Sequence, residues 1–227
     1  MQITLPGRPA PVQIRTEKSA LIVVDMQNAF CKKGGLFDLL GKLDEARLAP
    51  VISTLQKVID SSRNAGVKII YLTMGYRPDL ADAGGPDSPN YWKEGSLAFS
   101  LEHPDVGAKP LIAGTWDARI IDELAPEASD MVVNKNRYSG FANTGLDGIL
   151  RNHSVEHLIF AGIFTNVCVE STIRDAYFHE YFPILVGDGC ASVGPAFTQE
   201  ATLWAVSNIF GWVTTSEDLI KALTSAR

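Results

Sequence analysis

Short runs of apolar residues recur along the chain, and they alternate with segments whose apolar residues follow a helical period. The runs are continuous and rich in Val, Ile and Leu, which is typical of strands buried on both faces of a sheet. We predict strands at residues 20–24, 67–72, 131–134, 157–163, 183–186 and 211–213. We predict helices at residues 51–64, 116–124, 146–152, 166–179, 197–210 and 216–223.

This alternation predicts an α/β fold: a doubly wound, mostly parallel six-stranded sheet with helices on both faces and right-handed crossovers. A length of 227 residues and the lack of a linker-like stretch favour a single domain over residues 1–227. Residues 76–110 interrupt the alternation and are rich in Gly, Pro, Asp and Ser. Ordinary connections are shorter, so we interpret this segment as a functional excursion or a lid over a site.

Charge and composition argue against several classes of partner. The net charge is −6 and the isoelectric point is near 5.2, so the chain lacks the basic face that nucleic acid or an anionic membrane requires. No apolar run reaches the roughly 18 residues of a membrane span, and the first residues do not resemble a signal peptide. The three cysteines are widely spaced, which does not suggest a disulfide framework. We therefore expect a cytoplasmic protein with a small-molecule partner.

Three residues with reactive or ionisable side chains lie just beyond the ends of predicted strands. Asp25 comes directly after the first strand, Lys135 directly after the third, and Cys168 begins the helix after the fourth. In doubly wound sheets, ligands bind outside the carboxyl ends of the strands, close to the point where the strand order reverses. We therefore expect these three side chains to lie at the same edge of the sheet.

Cys168 is the candidate nucleophile. If Thr165 is the helix N-cap, Cys168 lies in the first turn, where backbone N–H groups and the helix dipole favour an anion. That position predicts a lowered thiol pKa and donors for the oxyanion of a tetrahedral intermediate. The alternative is a buried cysteine that packs as a small apolar side chain. The local pattern leaves both interpretations open.

Asp25 and Lys135 each have a commoner explanation when taken alone. An Asp after a strand often forms a turn, and a Lys at a strand end is usually solvated. Beside a cysteine, however, a carboxylate can exchange the thiol proton, and a lysine can stabilise the charged forms of both groups. Their functional interpretation therefore depends on the three residues lying together.

The sequence gives no indication of a metal or another cofactor. It contains no His-x-x-x-His or Cys-x-x-Cys spacing, and residues 73–76 after the second strand lack an Asp-x-His pair. None of the four histidines has a position comparable to that of Cys168. We expect no metal and no cofactor, and we expect Cys31 and Cys190 to be structural.

Three segments together resemble the isochorismatase-like cysteine hydrolases: ALIVVDMQNAF at residues 20–30, NKNRYSGF at 134–141 and AGIFTNVCVESTIRDAYFHEYF at 161–182. The resemblance implies a Rossmann-like three-layer fold and an Asp–Lys–Cys triad formed by Asp25, Lys135 and Cys168. It also implies a cis peptide between Ile163 and Phe164, with the N–H groups of Phe164 and Cys168 forming the oxyanion hole. True isochorismatases lack the cysteine, and nicotinamidases usually carry the metal-binding Asp-x-His, so both activities are disfavoured.

Within this family, several further segments resemble ureidoacrylate amidohydrolases of pyrimidine degradation, notably MQITLP, AGGPDSPN, GTWD and FGWV. The resemblance implies hydrolysis of ureidoacrylate or its peroxy form to aminoacrylate and carbamate. The stretch YRPDLAD at residues 76–82 is also similar to biuret hydrolases. A biuret or triuret hydrolase, or an N-carbamoyl amidase, therefore remains an alternative. A non-catalytic ligand-binding protein is a further alternative, which the intact triad disfavours.

The motifs also suggest residues that contact the substrate or a second subunit. We expect aromatic side chains to form the cavity wall and arginines to bind a substrate carboxylate; the candidates are Phe30, Tyr76, Tyr138 and Phe141, with Arg77 and Arg137. The family usually assembles, so we expect a homo-oligomer, a dimer or a tetramer. Trp204, Phe210 and Trp212 are either subunit contacts or core aromatics.

Overall fold

A computed structural model describes residues 1–104 and 111–225 of the chain. The strands are β1 Gln2–Leu5, β2 Val12–Arg15, β3 Ser19–Val24, β4 Lys68–Met74, β5 Met131–Lys135, β6 His157–Ile163, β7 Phe182–Ala191 and β8 Trp212–Thr214. The helices are α1 Asn28–Cys31, α2 Leu36–Leu39, α3 Glu45–Asn64, α4 Pro89–Lys93, α5 Gly95–Glu102, α6 Leu146–Asn152, α7 Glu170–Phe178, α8 Phe197–Ala205 and α9 Ser216–Thr224.

Six strands form a parallel sheet in the order β5-β4-β3-β6-β7-β8, with helices on both faces, which confirms the predicted fold class. The central strands β3, β6 and β7 bury their apolar side chains because helices cover them on both sides. The chain builds outwards from β3 through β4 to β5, and then returns to β6 on the other side of β3. The strand order therefore reverses between β3 and β6.

The approach of β3 to β6 at this reversal depends on a glycine. Val24 pairs with Gly162, whose φ is +115°. A Cβ atom at position 162 would lie 2.3 Å from the carbonyl oxygen of Val24. Glycine is required here both for its backbone conformation and for the close contact.

The predicted helix at 116–124 is wrong. The described chain forms turns there, and the only helical part is a 3₁₀ turn at Asp122–Leu124. The backbone carbonyls of this segment are used by the chain that follows β3: Arg119 and Asp117 accept the N–H groups of Asn28 and Ala29. Carbonyls that bind another segment are not available for a helical ladder.

Three other helices differ from their predicted bounds. Helix α3 begins at Glu45 rather than at residue 51, because Asp44 caps it and Pro50 is tolerated near its first turns. The helix predicted over 166–179 is divided into a π turn at Thr165–Val169 and α7. The helix predicted over 197–210 is likewise divided into α8 and a π turn at Val206–Phe210.

Two other parts of the chain contain secondary structure that the sequence pattern did not predict. An antiparallel hairpin of β1 and β2 precedes the sheet. The excursion at 76–110 contains α4 and α5, and residues 105–110 of it lie outside the described residues. Its ends meet at a parallel bridge between Tyr76 and Ile112. In the part of the chain that the structure describes, no helix combines the length and the apolar character needed to cross a membrane.

Candidate active site

Asp25 leaves the sheet immediately after β3. Its φ is +50°, in the left-handed region that side chains other than glycine rarely occupy. Its N–H donates to the carbonyl of Leu72 at 2.9 Å, so the residue remains attached to β4 while the chain turns. A left-handed conformation of this kind persists only where the surrounding structure enforces it.

Gln27 holds that turn in place. Its side-chain amide donates to the carbonyls of Met74 and Ala118, both at 2.8 Å. Its side-chain carbonyl accepts the N–H of Met74 at 2.7 Å. The side chain is fully buried, so these bonds satisfy its polar groups and connect the ends of β3 and β4.

Lys135 is the last residue of β5, and its side chain extends past β4 towards Asp25. Its ammonium donates to Asp25 Oδ2 at 2.8 Å and to the Arg137 carbonyl at 3.3 Å, and it lies 3.7 Å from Met74 Sδ. The side chains of Lys135 and Asp25 are 0% and 2% exposed. The Asp25 and Lys135 side chains are both within hydrogen-bond reach of the Cys168 side chain, and the other carboxylate oxygen, Asp25 Oδ1, is buried.

Cys168 lies in the π turn that follows β6, and it is buried. The peptide bond between Ile163 and Phe164 is cis, which confirms that prediction. The predicted N-cap is wrong: Phe164 holds the cap position, and the Thr165 hydroxyl is buried without a hydrogen-bond partner in the described chain.

Thr172 connects the cysteine turn to the NKNRYSGF loop. Its hydroxyl donates to the carbonyl of Cys168 at 2.6 Å and accepts the N–H of Gly140 at 3.0 Å. The loop that follows Lys135 is therefore hydrogen-bonded to the helix that carries the cysteine. This contact helps to hold Cys168 against the Asp25–Lys135 pair.

The three ionisable side chains shift one another's pKa values. Burial raises the pKa of the Asp25 carboxyl, although the Lys135 ammonium opposes the shift. Burial opposes charge on Lys135, but Asp25 and Cys168 together outweigh it, so the pKa of Lys135 is raised. Burial, together with the Asp25 charge, raises the pKa of the Cys168 thiol well above its ordinary value.

These shifts correct the expectation of a resting thiolate. The helix dipole and Lys135 favour a charged sulfur, but burial and the adjacent carboxylate oppose it more strongly. Both effects shift the thiol towards its neutral form. A carboxylate beside the thiol, as Asp25 is, is chemically able to accept its proton.

A cavity of about 210 Å³ opens at Cys168, and we call it the Cys168 cavity. It is smaller than the roughly 300–1,000 Å³ of pockets that bind drug-sized ligands, so it suits a small substrate. Phe164 stacks on Phe37 at 4.7 Å and meets Phe30 edge-on at 5.8 Å, so aromatic rings form one wall. The cavity is lined by Asp25, Phe30, Leu36, Phe37, Lys42, Met74, Lys93, Glu94, Gly95, Tyr138, Phe164, Val167, Cys168 and Val193.

The predicted substrate contacts divide into two groups. Phe30 and Tyr138 line the cavity, whereas the other four candidates are absent from its lining among the described residues. The Tyr76 hydroxyl accepts a bond from Asn90 at 3.0 Å, and Phe141 stacks on His179 at 4.9 Å.

The two candidate arginines are engaged elsewhere. Arg77 is paired with Asp79 at 2.9 Å. Arg137 donates to the carbonyls of Asp82 and Asn136 at 3.0 Å and 2.6 Å. Neither guanidinium therefore faces the Cys168 cavity.

Lys42, Lys93 and Glu94 line the cavity but were not identified from the sequence. Glu94 precedes a Gly-Ser pair and caps α5, a pattern that predicts a helix start but not a site. No local pattern distinguishes the two lysines from solvated ones. Lys93 and Glu94 belong to the excursion, so this segment contributes one wall of the cavity.

The remaining cysteines lie away from the cavity lining. Cys31 and Cys190 are buried, and burial raises the pKa of each thiol to about 12. Among the described residues, no group of His, Cys, Asp and Glu side chains could hold a metal ion.

The comparisons with known proteins agree with this geometry. The isochorismatase domain model matches residues 19–218. The chain is 46% identical over 224 residues to ureidoacrylate amidohydrolase RutB of Klebsiella pneumoniae, covering 99% of this chain and 94% of that protein. It is 44% identical to the RutB protein of Rhizobium rhizogenes, covering 99% and 91%.

Two solved structures with a similar fold are a cysteine hydrolase and an amidase. A cysteine hydrolase from Pseudomonas syringae pv. phaseolicola has a TM-score of 0.78 and 33% identity, covering 94% of this chain and 96% of that chain. N-carbamoylsarcosine amidase from Thermoplasma acidophilum has a TM-score of 0.64 and 26% identity, covering 88% and 97%. With the domain model matching most of its length and these relatives spanning nearly all of it, the chain belongs to the isochorismatase family.

Proposed function

We propose that the chain is a cysteine-dependent amidohydrolase that removes the terminal carbamoyl group of a small ureido acid. The substrate would be ureidoacrylate or its peroxy form, and the products aminoacrylate and carbamate. The observation that carries the proposal is the buried Asp25–Lys135 ion pair beside Cys168 in a cavity of about 210 Å³. The relatives named ureidoacrylate amidohydrolase support the substrate assignment.

In the first half-reaction, Cys168 attacks the carbamoyl carbon while Asp25 takes the thiol proton. The carbonyl oxygen becomes an oxyanion, for which the N–H groups of Phe164 and Cys168 are the proposed donors. The bond to the leaving nitrogen then breaks, and Asp25 returns the proton to that nitrogen. Aminoacrylate leaves, and the carbamoyl group remains as a thioester on Cys168.

In the second half-reaction, water replaces the amine. Asp25 takes a proton from water as the oxygen adds to the carbamoyl carbon, and the carbon–sulfur bond breaks. The sulfur recovers the proton, and the released carbamic acid ionises to carbamate. Lys135 keeps Asp25 ionised between these steps, since without it burial would favour the neutral acid.

The Cys168→Ser variant tests the nucleophile. We expect ureidoacrylate hydrolysis to fall below detection while the circular dichroism spectrum and the melting temperature are retained. Cys190→Ser is the matched control, since it is also a buried cysteine but lies outside the Cys168 cavity. Undiminished turnover by Cys168→Ser would refute the mechanism, and absence of ureide hydrolysis by the wild-type protein would favour a ligand-binding protein on the same fold.

The alternative substrate is biuret or triuret, for which the similarity of residues 76–82 is the motivation. Arg77 and Asp79 of that segment pair with each other outside the Cys168 cavity, which disfavours a direct role in recognition. Measurement of kcat/KM for ureidoacrylate, biuret and N-carbamoyl amino acids distinguishes the candidates. A value for ureidoacrylate far below the others would contradict the proposed substrate.

We also propose that the chain functions as one domain in the cytoplasm and assembles into a homo-oligomer. Phe178, Phe197 and Trp204 are 67%, 69% and 62% exposed, and burial of such large apolar side chains in a subunit contact would stabilise an assembly. Phe210 is buried and packs under the Arg174 guanidinium, so it is a core residue rather than a contact. Light scattering of the wild type and of Trp204→Glu tests the assembly. A wild-type monomer at micromolar concentration would contradict it.

A further inference from the structure

A second cavity of about 410 Å³ lies beside the Cys168 cavity, and we call it the Arg47 cavity. The two cavities share the side chains of Phe37, Lys42, Phe164 and Val193 as common walls. The Arg47 cavity is lined by Phe37, Lys42, Asp44, Arg47, Leu48, Phe164, Ala191, Ser192, Val193 and Gly194. The two cavities therefore adjoin across these residues, and Lys42 borders both.

The Arg47 cavity contains two cations, Lys42 and Arg47, that form no ion pair with an acidic side chain of the described residues. The Arg47 guanidinium donates to the Ser192 hydroxyl at 2.7 Å, which is a neutral acceptor. Within residues 1–104 and 111–225, neither Arg47 nor Lys42 forms an ion pair. Asp44 also lines the cavity, but its carboxylate accepts the backbone N–H of Arg47 at 3.0 Å as the cap of α3.

Another part of the lining of the Cys168 cavity, formed by Lys93 and Glu94, carries a buried carboxylate. Glu94 is buried there, and its Oε2 accepts the N–H groups of Ser96 and Leu97 at 3.0 Å and 3.1 Å. These bonds hold the Glu94 carboxylate at the cavity, where it would repel the carboxylate of a bound substrate. A substrate anion is therefore more favourable on the Lys42 side than beside Glu94.

Val193, which lines both cavities, is hydrogen-bonded to the turn that carries the nucleophile. Asn166 lies in the same π turn as Cys168, and its side-chain amide donates to the Val193 carbonyl at 3.0 Å. Its side-chain carbonyl accepts the N–H of Val193, also at 3.0 Å. Hydrogen bonds thus hold the turn that carries the attacking sulfur against Val193, which is next to the Ser192 that accepts a bond from Arg47.

We propose that Lys42 and Arg47 form the carboxylate-binding wall of the site and select small ureido acids over neutral ureides. The inference rests on the proposed ureide hydrolysis and adds to it the residues that recognise the acid end. Phe37 and Phe164 border both cavities, and their aromatic faces suit contact with a flat, conjugated chain such as an acrylate. The guanidinium matches a carboxylate geometrically, since it presents parallel N–H donors.

The test compares ureidoacrylate with its methyl ester, which has the same ureido group but no anionic end. Release of ammonia from carbamate reports on the ureido end of both compounds. We expect Lys42→Met and Arg47→Met each to raise KM for ureidoacrylate about tenfold with kcat retained, because each removes one charge-assisted contact. We expect kcat/KM for the ester to remain within about twofold of the wild-type value.

Two further variants serve as controls. Lys57→Met removes a positive charge from the exposed face of α3 without reaching either cavity, and it should leave both substrates unaffected. Arg47→Lys keeps the positive charge, so its KM for ureidoacrylate should lie between that of Arg47→Met and that of the wild type. Recovery of this kind distinguishes charge recognition from a general effect on the fold.

Several results would overturn the inference. Equal losses on the acid and the ester in Lys42→Met and Arg47→Met would indicate damage to the site rather than loss of an anion contact. Unchanged KM for the acid in both variants, or an acid-selective loss in Lys93→Met instead, would place the carboxylate elsewhere while leaving the hydrolase function intact. A wild-type protein that hydrolyses neither compound would overturn the function and the carboxylate wall together.

Discussion

The ammonium of Lys135 lies 2.8 Å from Oδ2 of Asp25, although the two residues are 110 positions apart in the chain. Both side chains are excluded from solvent, so each charge depends on the other for its stabilisation. One carboxylate oxygen accepts this ammonium, and Asp25 also lies within hydrogen-bond reach of the Cys168 side chain. The ion pair therefore lies directly beside the proposed nucleophile.

Removal of one partner of this pair should destabilise the fold. We expect Lys135→Met to lower the free energy of unfolding by roughly 3–5 kcal/mol, because it leaves a buried carboxylate uncompensated. The double variant Asp25→Asn/Lys135→Met should recover most of that loss, since no buried charge remains. Urea denaturation of the single and double variants measures the coupling.

The control is Lys18→Met, which removes a partly exposed ion pair with Glu156. Such pairs contribute about 1 kcal/mol or less, so this variant should unfold almost as the wild type does. A Lys135→Met protein as stable as Lys18→Met would contradict the account of the buried pair.

The raised pKa of Cys168 predicts slow alkylation of the free enzyme near neutral pH. Only the thiolate reacts with iodoacetamide, and burial together with Asp25 disfavours it. In a Cys31→Ala/Cys190→Ser background, Cys168 should react more slowly at pH 7 than a model thiol and accelerate at alkaline pH. Asp25→Asn should raise the rate at pH 7, because it removes the carboxylate that raises the pKa of the thiol. Faster reaction than the model thiol at pH 7 would instead indicate a resting thiolate.

The pH dependence of hydrolysis should reflect Asp25 on its acid side. The reaction needs the ionised carboxylate, and burial raises the pKa of Asp25, so activity is lost as the pH falls through that raised value. The acid limb of kcat/KM should therefore lie above the ordinary aspartate pKa of about 3.9. On the alkaline side, the pKa of Lys135 is raised, so loss of its charge should begin only above about pH 10.

Measurement of kcat/KM across this pH range, with circular dichroism at each pH to exclude unfolding, checks both limbs. An acid limb at or below the ordinary aspartate value, in a folded protein, would argue that Asp25 is not the base.

Substitution of Gly162 should perturb the contact between β3 and β6. A Cβ atom there would lie 2.3 Å from the Val24 carbonyl oxygen, and φ is +115°. Gly34 is the matched control, because its φ is +81° but no atom lies within 4 Å of the added Cβ. We expect Gly34→Ala to cost on the order of 1 kcal/mol from backbone conformation alone, and Gly162→Ala to cost clearly more. Equal melting temperatures for the two variants would contradict the close-contact argument.

The apolar pattern predicted the fold class because buried parallel strands need continuous runs of Val, Ile and Leu, which are local features of the sequence. It also predicted that Asp25, Lys135 and Cys168 lie at one edge, since the carboxyl ends of parallel strands share that edge. The helix predicted at 116–124 failed for a non-local reason. Its backbone carbonyls bind residues 28 and 29, and a periodicity argument cannot detect a partner so distant in the chain.

The sequence by itself therefore determined the sheet, the edge on which the site lies and the residue types available for its chemistry. The tertiary structure decided the direction in which the pKa of Cys168 shifts, because burial beside Asp25 raises it, whereas the local helix position suggested a lowered value. It also decided which cations face the cavity. Arg77 and Arg137 are held by Asp79 and by backbone carbonyls, whereas Lys42 from a different loop lines the cavity. Such choices depend on distances between segments that are far apart in sequence, and only folding sets those distances.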